Sequence, residues 1–303
     1  KAYRDVPVLS GLDLRVPRGS VFALLGPNGA GKTTTVQIMS TLIPYEAGEV
    51  RIAGHDPRGE PDAVRAAIGV TGQFAAVDRF LTGEENLLLM ARLHHLGRRE
   101  GRRRASELLE RFDLTEAARK PLMTYSGGMR RKLDLAMGLV GRPSIVFLDE
   151  PTAGLDPRGR RTMWDIVRDL VTAGVTIFLT TQYLDEADDL ADRIAVLDHG
   201  RLIADGTPEE LKRLIPGGHI SLQFTDVADL EAAARTLGEV SRDEDTLTLQ
   251  VPSDGGLESL RALLDRLDAA AVKAEGLQVH TPDLDDVFLA LTGHTESEKE
   301  LVR

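Results

Sequence analysis

"LLGPNGAGKTTT" (Leu24–Thr35) satisfies the pattern G-x-x-x-x-G-K-[ST] between Gly26 and Thr33. The apolar run "VFALL" leads into it and the helical pattern "TTTVQIMSTLI" leads out, the strand–turn–helix context that the pattern requires. Gly29 and Gly31 let backbone N–H groups wrap an anion without Cβ obstruction, and the helix that follows points its positive N-terminus at the same spot. Gly26, Pro27, Asn28, Ala30 and Thr34 complete the loop. Lys32 can reach β- and γ-phosphates, and the Thr33 hydroxyl can ligate Mg²⁺. The stretch reads as a nucleoside-triphosphate site.

The same alternation runs on either side. "SIVFL" precedes "RTMWDIVRDLV", and "TIFLTT" precedes "LDEADDLA", the signature of a parallel sheet flanked by helices over roughly the first 215 residues. From Phe74 to Val140 the pattern turns helical, which predicts a helical insert at about 74–140. "RIAVLDHGRLIADGTPEELKRL" predicts two short strands turning at His199-Gly200, then a helix capped at Thr207 with Pro208 first. "IPGGH" (Ile215–His219) interrupts everything and sets a boundary after residue 215. Beyond it, 216–293 read as strand, helix, strand, helix, strand, a small α+β unit of ferredoxin-like kind. Residues 294–303 form a polar, frayed tail.

Composition narrows the classes. A chain of 303 residues with 42% hydrophobic content can bury a sizeable core. The densest apolar run, "NLLLMARL" (Asn86–Leu93), is far too short to span a bilayer. A formal charge of −11 argues against the usual basic nucleic-acid binder, so no nucleic-acid partner is expected. The absence of cysteine excludes disulfides and thiolate metal sites and suits the cytosol. The chain starts at Lys1 with no visible leader, and the natural N-terminus is expected further upstream.

"SIVFLDEPTAGLD" (Ser144–Asp156) is an apolar strand ending in two carboxylates. Such a strand leaves its last acid at the carboxyl edge of the sheet, where ligands of open α/β sheets bind. Asp149 is there for Mg²⁺, and Glu150 to polarise an attacking water. "TYSGGMRRKLDLAMGLVGRP" (Thr124–Pro143) puts Ser126-Gly127-Gly128 at the start of a basic, amphipathic helix, a second anion-cradling terminus.

With that spacing to "IVFLDEP", residues 1 to about 215 resemble the ATP-binding cassette ATPases. The resemblance implies ATP and Mg²⁺ as cofactors and a head-to-tail dimer with a second copy. In that dimer Ser126, Gly127 and Gly128 of one copy would close over ATP on the phosphate loop of the other. Met129 stands where the family usually has glutamine, which removes a side-chain contact but keeps the backbone donors. By resemblance Tyr3 would stack on adenine. Gln73 would contact Mg²⁺ or the lytic water, and Asp156 would report across the dimer.

The strand "TIFLTT" ends at Gln182, where most relatives have a histidine that grips the γ-phosphate. A carboxamide still hydrogen-bonds but does not titrate near neutral pH, so Gln182 is expected to be a weakened but working switch, with Glu150 activating water.

"TTQYLDEAD", "YSGGMRR" and "TPDLDDVFLALTG" (Thr281–Gly293) extend the likeness to the daunorubicin-resistance branch, ATPase subunits of small bacterial exporters. That implies a separate integral-membrane permease, received between the helical insert and the Gln73 region, and a place on the cytoplasmic face of the membrane. The rival reading is a non-transport cassette acting on ribosomes or nucleic acid. A third makes the C-terminal unit a ligand sensor. The arginines of "LGRREGRRRA" (Leu96–Ala105) and the acids of "DEADDLAD" are expected on solvated faces. His94, His95, His199 and Trp164 are expected to be structural.

Overall fold

In the computed structural model of the chain, residues 1–4, 6–73, 76–215, 218–238, 240–243, 246–253 and 256–292 are described. Phe74, the Pro216-Gly217 centre of the "IPGGH" break and the tail 294–303 lie outside them. The chain divides into two compact units, Lys1–Pro208 and Glu209–Arg303, so the division falls seven residues ahead of the break at residue 215.

The first unit opens with a short antiparallel pair, β1 (Ala2–Tyr3) and β2 (Val6–Pro7). The apolar run ahead of the phosphate loop is β3 (Val21–Leu25), buried at every residue, and the helix behind it is α1 (Lys32–Met39). Then come α2 (Pro61–Ala67) and β4 (Ile68–Thr71), a core strand missed in the sequence because "IGVT" is short and carries a central glycine. The helical insert holds α3 (Gly83–Leu93), α4 (Arg98–Arg111), two 3₁₀ turns (Thr115–Ala117 and Leu122–Thr124) and α5 (Gly127–Gly138). Thr82 and Glu85 start α3 with a reciprocal capping box.

Strands β5 (Ile145–Asp149) and β6 (Thr176–Thr181) flank α6 (Pro157–Thr172), and α7 (Leu184–Leu190) follows. Strands β7 (Arg193–Asp198) and β8 (Arg201–Gly206) form the hairpin predicted at His199-Gly200, both of which have positive φ (43° and 75°), as a two-residue turn of type I′ needs. The short helix α8 (Pro208–Lys212) begins at the predicted proline.

The six-stranded sheet has the order β4-β5-β6-β3-β7-β8, parallel except for the β8 edge. Stacked Phe22 and Phe178 (5.5 Å between ring centroids) and tilted Phe147 centre one layer of its core. Burial on both faces explains why these strands read as continuous apolar runs.

The second unit contains β9 (His219–Gln223), α9 (Val227–Leu237), β10 (Ser241–Asp243), β11 (Thr248–Pro252), α10 (Leu257–Ala269), β12 (Gly276–His280) and α11 (Leu284–Thr292). Its antiparallel sheet runs β10-β11-β9-β12, and the βαββαβ succession is the ferredoxin-like arrangement. The sequence reading has one strand fewer. β10 is "SRD", three exposed polar residues on an edge, and carries no apolar alternation to detect.

Candidate functional site

Register alone brings most of the site together. Thr71 of β4 pairs with Leu148, Asp149 of β5 with Thr180, and Thr181 of β6 with Leu25. Four parallel strands therefore end in one row, and the residues just beyond them (Gln73, Glu150, Gln182 and the loop from Gly26) share the carboxyl edge of the sheet. The Gly26 N–H donates to the Thr181 carbonyl at 3.3 Å, fastening the loop to the strand that delivers Gln182.

Two glycines of the loop are dictated by space. A Cβ on Gly26 would lie 2.2 Å from the Leu197 carbonyl oxygen. At Gly31, φ is 111°, and a Cβ would meet the Leu9 side chain at 2.6 Å. The segment pressing on Gly31, Val8-Leu9, follows the hairpin that bears Tyr3. Tyr3 itself is exposed, with the Lys1 ammonium 5.1 Å from its ring centroid.

Lys32 is 4% exposed. Its Nζ donates to the Gly26 and Pro27 carbonyls at 2.7 and 3.1 Å and lies 3.4 Å from Glu150 Oε1. Burial pulls the ammonium below its usual range, against the opposing pull of Glu150 and then Asp149. Asp149 Oδ1 accepts from the Thr180 hydroxyl at 2.5 Å and from the Thr33 hydroxyl at 3.3 Å. Thr33, Asp149, Glu150 and Lys32 thus form one contiguous polar cluster. Gln182 is half-buried and Gln73 exposed at the ends of neighbouring strands.

A hydroxyl and a carboxylate side by side are hard oxygen donors of the kind Mg²⁺ takes alongside phosphate oxygens and water. Among the described residues no group of three or more His, Cys, Asp or Glu could hold a metal ion.

Ser126 caps α5, its Oγ accepting from the Met129 N–H at 3.2 Å, with Gly127 and Gly128 in the first turn. Asp156 caps α6 by accepting from the Gly159 N–H at 2.8 Å. Both caps border one open groove of about 440 Å³, lined also by Met129, Lys132 and Leu155 but by no residue of the phosphate loop. Within one chain the serine-glycine loop and the phosphate loop line different places.

Some expectations need correction. Glu186, from the acidic run placed on a solvated face, is 0% exposed and accepts from Trp164 Nε1 at 3.2 Å. Burial holds the carboxyl above its ordinary range, against the opposing pull of the Thr181 and Thr152 hydroxyls and the Trp164 indole. Arg104, from the arginine run, is also buried and donates to the Leu139 carbonyl at 2.7 Å. Arg131 and Asp134, read as parts of a basic amphipathic helix, are both buried. The only hint in the sequence is their i, i+3 spacing, which is common on solvated helices too.

Such a row of loops on a parallel sheet defines a nucleoside-triphosphate-hydrolysing domain of the cassette class. Residues 9–153 match the family model described as "ABC transporter". The chain is 51% identical over 302 residues to the daunorubicin resistance ATP-binding protein DrrA3 of Streptomyces coeruleorubidus, covering 99% of this chain and 96% of that one. It is 48% identical over 304 residues to the daunorubicin/doxorubicin resistance ATP-binding protein DrrA of Streptomyces peucetius, covering 99% and 92%. A dimeric ATP-binding cassette in a post-hydrolysis state bound to ADP and phosphate superposes with a TM-score of 0.61 at 25% identity, covering 68% of this chain and 94% of that one.

The chain belongs to the ABC transporter family, with the daunorubicin/doxorubicin-resistance ATP-binding proteins, and is an ATP-binding, ATP-hydrolysing enzyme.

Proposed function

We propose that the chain is the motor subunit of an exporter of drug-like, antibiotic or lipid compounds, working as a head-to-tail pair that closes over two ATP molecules. The observation that carries this reading is the separation of the two anion cradles. The phosphate loop sits at the sheet edge, whereas Ser126 to Gly128 open onto a groove with no phosphate-loop residue in it. A second copy supplies what each cradle lacks, and the likeness to a dimeric cassette supports that pairing.

In this reading Gly26 to Thr34 wrap the phosphates, Lys32 leaves its loop carbonyls for the γ-phosphate, and Tyr3 stacks on the base. Thr33 and Asp149, with Gln73, would hold Mg²⁺, which when bound neutralises charge developing on the β- and γ-phosphates. Glu150 accepts the proton of the attacking water, and Gln182 hydrogen-bonds the γ-phosphate. Ser126 accepts a backbone N–H as a cap, so its hydroxyl proton remains available to a phosphate oxygen of the facing copy. Asp156, at the rim of the same groove, contacts that copy.

No helix among the described residues is long and apolar enough to cross a membrane. The translocation path then belongs to a separate permease that holds this subunit at the cytoplasmic face. Its cytoplasmic helix docks between the helical insert and the Gln73 region, and Phe80 and Met123 of the insert are 91% and 73% exposed. Residues 216–293 form an accessory domain.

Steady-state ATP hydrolysis tests the roles. Glu150→Gln should lose roughly a hundredfold or more of the rate while still binding ATP, and Gln182→Ala should lose about tenfold. An active Glu150→Gln beside a dead Gln182→Ala would reverse the assignment.

A further inference from the structure

Glu150 carries its carboxylate on an unusual backbone. Its φ is 49°, in the left-handed region that a side chain with a Cβ seldom occupies. Such a conformation persists only where the surroundings over-determine it. Here the residue is held on both sides. Its N–H donates to the Thr180 carbonyl (3.1 Å) and hydroxyl oxygen (3.2 Å), and its carbonyl accepts from Arg131 Nη2 at 3.1 Å.

Arg131 does more than hold that one carbonyl. The same Nη2 donates to the Asp149 carbonyl at 3.0 Å, Nε to Pro151 at 2.9 Å, and Nη1 to Gly72 at 2.6 Å. One guanidinium therefore spans the turn after β5 and the end of β4, one residue before Gln73. Asp134, one turn further along α5, lies 3.6 Å from Arg131 Nη1 and accepts from the Ala76 N–H at 2.9 Å. The pair grips the Gln73 loop from both sides, at Gly72 and at Ala76.

Burial pulls Arg131 down and pushes Asp134 up, and each charge offsets part of the other's cost. Only a planar fork with donors on three nitrogens can serve four carbonyls at once. An ammonium of the same charge has three donors from a single point.

We propose that Arg131, seated on Asp134, is a positioning residue for hydrolysis. It fixes the left-handed Glu150 peptide that aims the carboxylate at the phosphate-loop site, and it ties the Gln73 loop to the same helix that begins at Ser126. It acts through those groups rather than on the nucleotide. The proposal rests on the reading of Glu150 as the group that activates water.

The test measures kcat and KM for ATP in the full chain. Arg131→Lys keeps the cation beside Asp134 but loses the fork. It should lower kcat about tenfold or more with KM within about twofold, because ATP is bound by other groups. In a Glu150→Gln background the same change should cost far less than in the natural chain, about twofold to threefold through the Gln73 loop alone, since the carboxylate it positions is gone. A merely structural role would instead multiply the losses. Asp134→Asn, which keeps an acceptor for Ala76 but removes the counter-charge, should give a smaller loss confined to kcat and serves if Arg131→Lys does not fold. An unchanged kcat in either single variant, or a further tenfold loss in the Glu150→Gln background, overturns the proposal. A fully active Glu150→Gln removes the underlying reading and the proposal together, whereas an inactive Glu150→Gln beside a fully active Arg131→Lys removes the strut alone.

Discussion

At the scale of single residues, the proposed chemistry turns on what a glutamine would do at the end of β6. Gln182 stands next to Thr181, whose carbonyl receives the phosphate-loop N–H, so the backbone at 182 lies beside the loop. A carboxamide does not titrate between pH 5 and 8, whereas an imidazole does, near an unperturbed value of about 6.5. Gln182→His should therefore give the pH–rate profile an inflection in that range that the natural chain lacks. Comparing kcat profiles from pH 5.5 to 8.5 checks this, and two superimposable curves would remove Gln182 from the γ-phosphate. The residue type was plain in the sequence. Its neighbour on β3 was set by register between residues 156 positions apart (Leu25 and Thr181), which no local pattern encodes.

At the scale of elements, α6 and α7 are joined by a buried carboxylate. Glu186 on α7 accepts from Trp164 Nε1 on α6, with the Thr181 and Thr152 hydroxyls beside it and the Arg160 guanidinium opposing part of the cost of its burial. Burial raises its carboxyl above the ordinary value of 4.5, so the folded chain binds this proton more readily than the unfolded one. The contribution favours folding below that ordinary value and is lost as pH rises through the raised one. Glu186→Gln keeps an acceptor for Trp164 and cannot ionise. Its melting temperature relative to the natural chain should therefore rise between pH 5 and pH 8. Glu186→Ala should instead lose about 1–3 kcal/mol, because the indole N–H is left without a partner. Differential scanning calorimetry across that range distinguishes the two outcomes. In the sequence "DEADDLAD" offers several acids in a row. Which of them points inward depends on the crossing of two helices, and only packing decides that.

At the scale of the whole molecule, the second unit carries its own core. Ile220, Leu222, Phe224, Leu230, Leu237, Leu249, Leu263 and Leu267 pack together across one face of its sheet, and all belong to residues after 208. A fragment from Glu209 to Arg303 should thus unfold cooperatively by itself, as read by circular dichroism during heating. A broad, non-cooperative melt would show that this unit depends on the first. The ferredoxin-like succession was legible from strand and helix periodicity, apart from polar β10, whose place is fixed by pairing with β11 rather than by its own residues.

The sequence by itself determined the phosphate loop, the acidic strand end and the serine-glycine helix start, because each is a short run of residue types whose chemistry needs no distant partner. It also determined the sheet class, through apolar runs too continuous for a half-exposed strand. The tertiary structure alone decided which loops become neighbours, through a parallel register in which Asp149 meets Thr180 and Leu25 meets Thr181. It alone turned Arg131 and Glu186 inward. A charged side chain on an amphipathic helix reads as solvated until the surfaces packed against that helix supply the carbonyls, hydroxyls and counter-charges that make burial tolerable.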